Sequence, residues 1–148
     1  MRLNIGSGFR KLPNYYNIDN RAECDPDLVL DLTLSLPFET GSVDEVRAVD
    51  ILEHIPIGKT LPLIEEIWRV LKPGGYFYSM TPSTDGRGAF QDPTHVSFWN
   101  QNSWLYYMDD LHRNLYGIEA KFEGRVYDRI TDMKNRIIHT IGELYAVK

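Results

Sequence analysis

The sequence predicts an α/β protein built on one sheet of mixed strand direction. Three observations carry that expectation. Short apolar runs recur along the first half of the chain, and each breaks into glycine or aspartate. Between two of them, Leu63, Ile64, Ile67, Trp68 and Leu71 repeat at helical spacing, as the buried face of a sheet-covering helix does. The chain then closes with two long strand-like stretches, about 118–129 and 135–147, joined by the polar turn Thr131-Asp132-Met133-Lys134, which reads as an antiparallel hairpin. Alternating strand and helix units followed by a hairpin give mixed directions.

The first strand covers about residues 2–6 and runs into Gly6-Ser7-Gly8. Glycine permits positive φ there and close approach to the main chain. Only Ser7 to Tyr15 separate it from the next strand, and Pro13 lies among them, so the first crossover has room for about a turn of helix. Strands at about 16–19 and 28–31 end in Asp19 and Asp31, and Val43 to Asp50 leads into a fourth. A helix follows, with Thr60 as its expected cap, Glu65 and Glu66 in its early turns and Lys72 at its end before Pro73-Gly74-Gly75. Tyr76 to Met80 reads as the fifth strand. A long irregular stretch, 83–100, comes next, and a helix is expected over about 102–114 from Trp104, Leu105, Met108 and Leu111.

Bulk properties narrow the function classes. With 148 residues, 43% of them hydrophobic, the chain suits one domain spanning 1–148 with one core. No run approaches the roughly 18 apolar residues of a membrane span, and the chain opens almost at once on a strand without a leader, so no membrane role and a cytoplasmic protein are expected. The single cysteine, Cys24, excludes an internal disulfide. A net charge of −5 argues against nucleic acid as the main partner, although Arg125, Arg129, Lys134 and Arg136 gather near the C-terminus.

The candidate site begins at the glycine turn. A dinucleotide fingerprint needs a third glycine where Lys11 stands, and an acid about twenty residues on, whereas Asp19 comes sooner. A nicotinamide oxidoreductase is the poorer reading for that reason. Without a proper helix N-terminus there is no cradle for a pyrophosphate, but a phosphate-free nucleoside needs none. Asp19 can accept from both hydroxyls of a ribose, and Asp31 from an exocyclic amine, with the Leu32 amide facing a ring nitrogen.

In this order, strand-Gly-Ser-Gly, Asn-Ile-Asp, Asp-Leu, Leu-Pro-Phe, Val-Asp-Ile-Leu-Glu-His and Arg-Val-Leu-Lys-Pro-Gly-Gly, the segment Leu3 to Thr81 resembles a class I S-adenosylmethionine-dependent methyltransferase. The resemblance implies a Rossmann-like mixed seven-stranded sheet, with the C-terminal antiparallel hairpin as its last two strands. It also implies S-adenosyl-L-methionine as cofactor. Gly6, Ser7 and Gly8 would lie against its methionine part, Asp19 would hold the ribose, and Asp31 with Leu32 would frame the adenine. Asp50 and Ile51 would border the reacting methyl group. Two departures stand out: the family's N-terminal helices are absent, and its first helix is cut down.

For the acceptor side, Gln91-Asp92-Pro93-Thr94-His95 is the expected catalytic stretch, with His95 taking a proton and Asp92 orienting it. The bland reading has Asp92 capping a turn and His95 satisfying loop backbone. The 83–100 loop would act as lid and specificity element. Phe90 and Trp99 are expected in the pocket, and Trp104 and Tyr107 in helix packing. Glu53-His54, with His95, Asp92 and His112, invites a metal, but no close spacing such as His-Glu-x-x-His appears, so none is expected. The acceptor is expected to be a small polar molecule, a sugar or other metabolite. The alternative is a binding module or subunit without turnover, completed by a partner chain. A homodimer through Tyr15, Tyr16 or Trp99 is one way to supply that cover.

Overall fold

The computed structural model describes all residues, 1–148. Seven strands form one sheet: β1 (Arg2–Ile5), β2 (Tyr16–Asp19), β3 (Leu28–Val29), β4 (Val43–Val49), β5 (Leu71–Pro82), β6 (Phe122–Asp132) and β7 (Ile137–Ala146). Their spatial order is β3-β2-β1-β4-β5-β7-β6. The first five are parallel, with Leu3 opposite Tyr16 and Val46, while β7 runs antiparallel to both β5 and β6. The expected mixed seven-stranded sheet and C-terminal hairpin are both present. The reversal of strand order on either side of β1 and β4 opens a crevice at their carboxyl ends, where open α/β sheets bind ligands.

The short β1–β2 link contains turns and no helix. Its backbone is tied instead by Asn17, which is 4% exposed. The Asn17 side chain accepts from Leu12 N–H at 2.8 Å and donates to the carbonyls of Leu12 and Tyr15 at 3.3 and 3.0 Å. Asn4 Nδ2 donates to the same Asn17 oxygen at 2.9 Å. One buried amide thus satisfies backbone groups that a helix would have paired internally.

Helix α1 (Thr60–Val70) turns Leu63, Ile64, Ile67 and Val70 onto the sheet. Its ends differ from expectation. Lys59 holds the N-cap position and Thr60 is already helical, with no side-chain cap. Lys72 lies beyond the helix, paired with Asp44 at 2.7 Å, because β5 begins at Leu71 opposite Val43. The β4–β5 register then shifts before Glu45 meets Tyr76, so Pro73-Gly74-Gly75 is accommodated as an irregularity within the strand. Strand β3 is shorter than expected, leaving Asp31 beyond its end.

The helix expected over 102–114 is broken. A 3-10 turn (Gln101–Trp104) leads into α3 (Leu105–Met108), and α4 (Asp110–Tyr116) follows; the four-residue helix α2 (Gly88–Gln91) lies upstream in the long loop. Asp109 causes the break: it is extended, and its carboxylate accepts from His112 N–H, capping α4. Trp104 and Tyr107 are buried as expected, but Leu105, on α3, and Leu111, on α4, are exposed; α4 buries none of its residues. The hairpin turn falls at residues 133–136 rather than 131–134, because Asp132 accepts from Asn135 N–H at 3.0 Å and Arg136 takes positive φ.

One core cluster joins the covered face of the sheet to α1 and to the 99–122 segment. Trp104, fully buried, sits among Phe77, Trp99 and Tyr107, with ring centroids 5.0–5.9 Å away. Trp99 is 4% exposed and part of this core, so it offers no dimer surface; its exposed edge borders a second pocket of about 420 Å³ beside Tyr106, Tyr107 and Ile118, apart from the cleft at the carboxyl ends of β1 and β4. Phe90 is 63% exposed, stacks on Phe98 and lines neither the cleft nor that second pocket. Of the aromatics expected at a dimer surface, Tyr16 remains partly open, while Tyr15 is half-buried and bonds Glu45 through its hydroxyl. On the opposite face of the sheet, Glu45, Arg47, Val49, Tyr76, Tyr78 and Met80 are only half-buried. The β1–β2 and β2–β3 connections, which could lay helices there, hold only turns and the 3-10 turn Ala22–Cys24. No helix in the chain is long and apolar enough to cross a membrane.

Candidate functional site

A cleft of about 920 Å³ opens at the carboxyl ends of β1, β2 and β4. All eight residues expected to hold the cofactor line it: Gly6, Ser7, Gly8, Asp19, Asp31, Leu32, Asp50 and Ile51. Both glycines have the expected positive φ, +65° at Gly6 and +49° at Gly8. A Cβ at Gly6 would come within 2.4 Å of the Ile51 side chain, so this glycine also admits a neighbouring residue of the cleft wall.

Asp19 is 6% exposed and organises the turn. Its Oδ2 accepts from Gly8 N–H at 2.7 Å. Its Oδ1 accepts from Arg21 N–H at 3.0 Å and more weakly from Arg21 Nε at 3.4 Å. Three donors on a carboxylate with about four acceptor sites leave room for another. The Arg21 side chain, half-exposed, is the donor most easily displaced. Beside it the Ser7 hydroxyl is buried without a partner. Asp31 is exposed; Thr33 N–H, donating to Oδ1 at 2.8 Å, holds its carboxyl below the usual range and leaves Oδ2 free.

Asp50 follows β4 with φ +52°, a left-handed conformation that a non-glycine residue adopts at a cost. Its N–H donates to Met80 O at 2.9 Å, and its Oδ1 meets His139 Nε2 at 3.0 Å. His139 in turn faces the Thr131 hydroxyl through Nδ1 at 2.7 Å. Sequence reading missed His139: its partner is 89 residues away, and nothing local marks it. Arg21 was also missed, although its place two residues after Asp19 is the one cue the sequence offers.

The expected Asp92–His95 pair stands at ion-pair distance but is not hydrogen-bonded. Asp92 Oδ2 lies 3.8 Å from His95 Nε2, beyond hydrogen-bond reach. Asp92 Oδ1 instead accepts from Thr94 N–H and Oγ1 at 2.8 and 2.7 Å, the turn-capping geometry of aspartate. His95 Nδ1 faces Ala89 O at 3.1 Å. Neither residue lines the cleft, and neither does any other residue of 83–100. That loop is docked on β7, with Ser83 N–H on Ile138 O, on the hairpin turn, with Arg87 N–H on Arg136 O, and on the turn after β4. His54 is the histidine on the cleft wall.

Residues 13–79 match the family described as a methyltransferase domain. No curated protein matches the chain in sequence. Among solved structures, a S-adenosylmethionine-dependent methyltransferase from Methanosarcina mazei superimposes with a TM-score of 0.67 at 18% identity, over 99% of this chain and 91% of that one. The chain has the class I S-adenosylmethionine-dependent methyltransferase fold. A second methyltransferase of this fold, from Archaeoglobus fulgidus, gives a TM-score of 0.71 at 12% identity, over 98% and 85% of the two chains. A chain from the Haloferax volcanii complex containing the Trm112 methyltransferase activator gives 0.68 at 16% identity, over 99% and 82%.

Proposed function

We propose that the chain is an S-adenosylmethionine-dependent methyltransferase acting on a small polar acceptor such as a sugar or other metabolite. The observation that carries this reading is the convergence of Gly6, Ser7, Gly8, Asp19, Asp31, Leu32, Asp50 and Ile51 on one cleft. Its volume falls within the roughly 300–1,000 Å³ of small-molecule sites. The residues fit a nucleoside without phosphates: the glycine turn leads into no helix N-terminus that could hold a pyrophosphate. The domain match and the names of the fold neighbours support the same reading.

When bound, the cofactor supplies an electrophilic methyl group on a sulfonium sulfur. The chain's own residues bind and orient. Asp19 would take the ribose hydroxyls as Arg21 swings aside, and Asp31 Oδ2 would take the exocyclic amine. Ile51 closes the wall against Gly6. His139 fixes Asp50 through Oδ1, which leaves Oδ2 to align an acceptor, and alignment supplies much of the rate in a displacement.

A second reading, a cofactor-binding subunit completed by a partner chain, is favoured by the half-open sheet face and by the neighbour that comes from an activator complex. Release of S-adenosylhomocysteine across a panel of hydroxyl and amine acceptors separates the two. The enzyme reading expects release only when an acceptor is added. Release that needs a second protein, whatever the acceptor, would select the subunit reading.

A further inference from the structure

The turn after β4 and the loop after β5 are stitched together. Glu53 O accepts from Val96 N–H at 2.8 Å and Ser97 N–H at 3.0 Å, and Ser97 Oγ donates to Leu52 O at 2.7 Å. The stitching brings three side chains from two chain segments to one point. Donor atoms of Glu53, His54 and His95 all lie within 4.8 Å of one another, and the two imidazoles meet edge to face with centroids 4.9 Å apart.

We infer that Glu53, His54 and His95 form a binding site for a first-row divalent cation, of the Zn²⁺ class, beside the cofactor cleft. The two imidazoles are oriented for it. His54 Nδ1 faces Thr94 O at 3.3 Å and the Thr94 hydroxyl at 3.2 Å, and His95 Nδ1 faces Ala89 O at 3.1 Å. A ring nitrogen facing a carbonyl carries the proton, so in each neutral ring the lone pair sits on Nε2. Metal-ligating histidines are held by this kind of outer contact.

Glu53 supplies the charge. It is 2% exposed, its one side-chain hydrogen bond comes from Thr81 Oγ1 at 2.7 Å, and no lysine or arginine pairs with it. A carboxylate so placed lacks compensation, which a cation provides. Asp92 Oδ2, unbonded and 3.8 Å from His95 Nε2, stands next to the three as a further oxygen. Two imidazoles with a carboxylate favour Zn²⁺ and its neighbours over Mg²⁺ or Ca²⁺, which prefer all-oxygen sets. Donors held at the ~2.0–2.2 Å that Zn²⁺ requires stand closer together than 4.8 Å, so the three side chains would close in on the ion as it binds. The sequence offers these residues as metal candidates but no close ligand spacing, because Glu53 and His95 lie on different segments that meet only in the fold.

His54 also lines the cleft, so a cation here would have open positions toward an acceptor oxygen and would polarise it. That use rests on the methyltransferase reading; the site itself does not. The test is Zn²⁺ titration of tag-free, metal-stripped protein by calorimetry, with metal content counted after dialysis. We expect one Zn²⁺ per chain, and Glu53→Gln, His54→Ala and His95→Ala each weakening it at least tenfold with unchanged circular dichroism. His112→Ala, which removes the separate pair with Asp109, should bind as wild type does. Mg²⁺ should bind at least tenfold more weakly than Zn²⁺. Absence of stoichiometric binding, or binding that survives in Glu53→Gln and His95→Ala, would overturn the assignment. S-adenosylmethionine titrated into the metal-free protein reads the cofactor site separately, so either claim can fail without the other.

Discussion

Asp19→Ala is expected to weaken S-adenosylmethionine binding by at least about a hundredfold. Two things are lost together. Hydrogen bonds to a charged group contribute about 1.5–3 kcal/mol each, and a ribose presents two hydroxyls, so about 3–6 kcal/mol of binding disappears, or roughly 10²–10⁴ in affinity. The same carboxylate also fixes Gly8 N–H at 2.7 Å and Arg21 N–H at 3.0 Å, so the glycine turn loosens. Asp19→Asn separates the effects: its one carbonyl oxygen can still serve the turn, but the charge is gone, and an intermediate loss is expected. Calorimetric titration of the three proteins checks this. A change of less than threefold in a folded Asp19→Ala variant would remove Asp19 from the site.

The largest stability effect is expected at Trp104. The residue is fully buried against Phe77, Trp99 and Tyr107, where β5, β7 and the 99–108 segment meet. Truncating such a side chain leaves a cavity and costs about 3–5 kcal/mol, a large share of the roughly 5–15 kcal/mol by which domains are stable. Urea denaturation should show Trp104→Ala unfolding at much lower midpoint with an unchanged slope. Trp104→Phe should lose less, because the indole N–H has no partner in the core and its removal leaves no donor stranded. Leu111→Ala, at an exposed position on α4, should stay within about 0.5 kcal/mol of wild type. Near-equal losses at Trp104 and Leu111 would contradict the core as described.

What could be read from the sequence was local. Gly6 and Gly8 announce a turn because few other residues tolerate its φ, and Asp19 and Asp31 announce strand ends because a carboxylate pairs with neighbouring N–H groups. The hairpin could be read from two long segments around a polar turn. What could not be read depends on pairs far apart in the chain. Helical spacing through Leu105 and Leu111 says nothing of Asp109 ending one helix to cap the next. Asp92-Pro93-Thr94-His95 looks like a catalytic stretch until Thr94 takes the Asp92 oxygen. Trp99 looks like a surface aromatic until β5 and the 101–104 turn enclose it. The Asp50–His139 bond and the meeting of Glu53 with His95 exist only once β4, β5 and β7 lie side by side.

The claim on which the account stands is that the cleft is an S-adenosylmethionine site. Calorimetric titration of S-adenosylmethionine and, separately, of NADH into the wild-type protein tests it most directly. One saturable site for S-adenosylmethionine, competed by S-adenosylhomocysteine, is expected, with no heat from NADH. Binding of NADH in place of S-adenosylmethionine, or no binding of either, would contradict it.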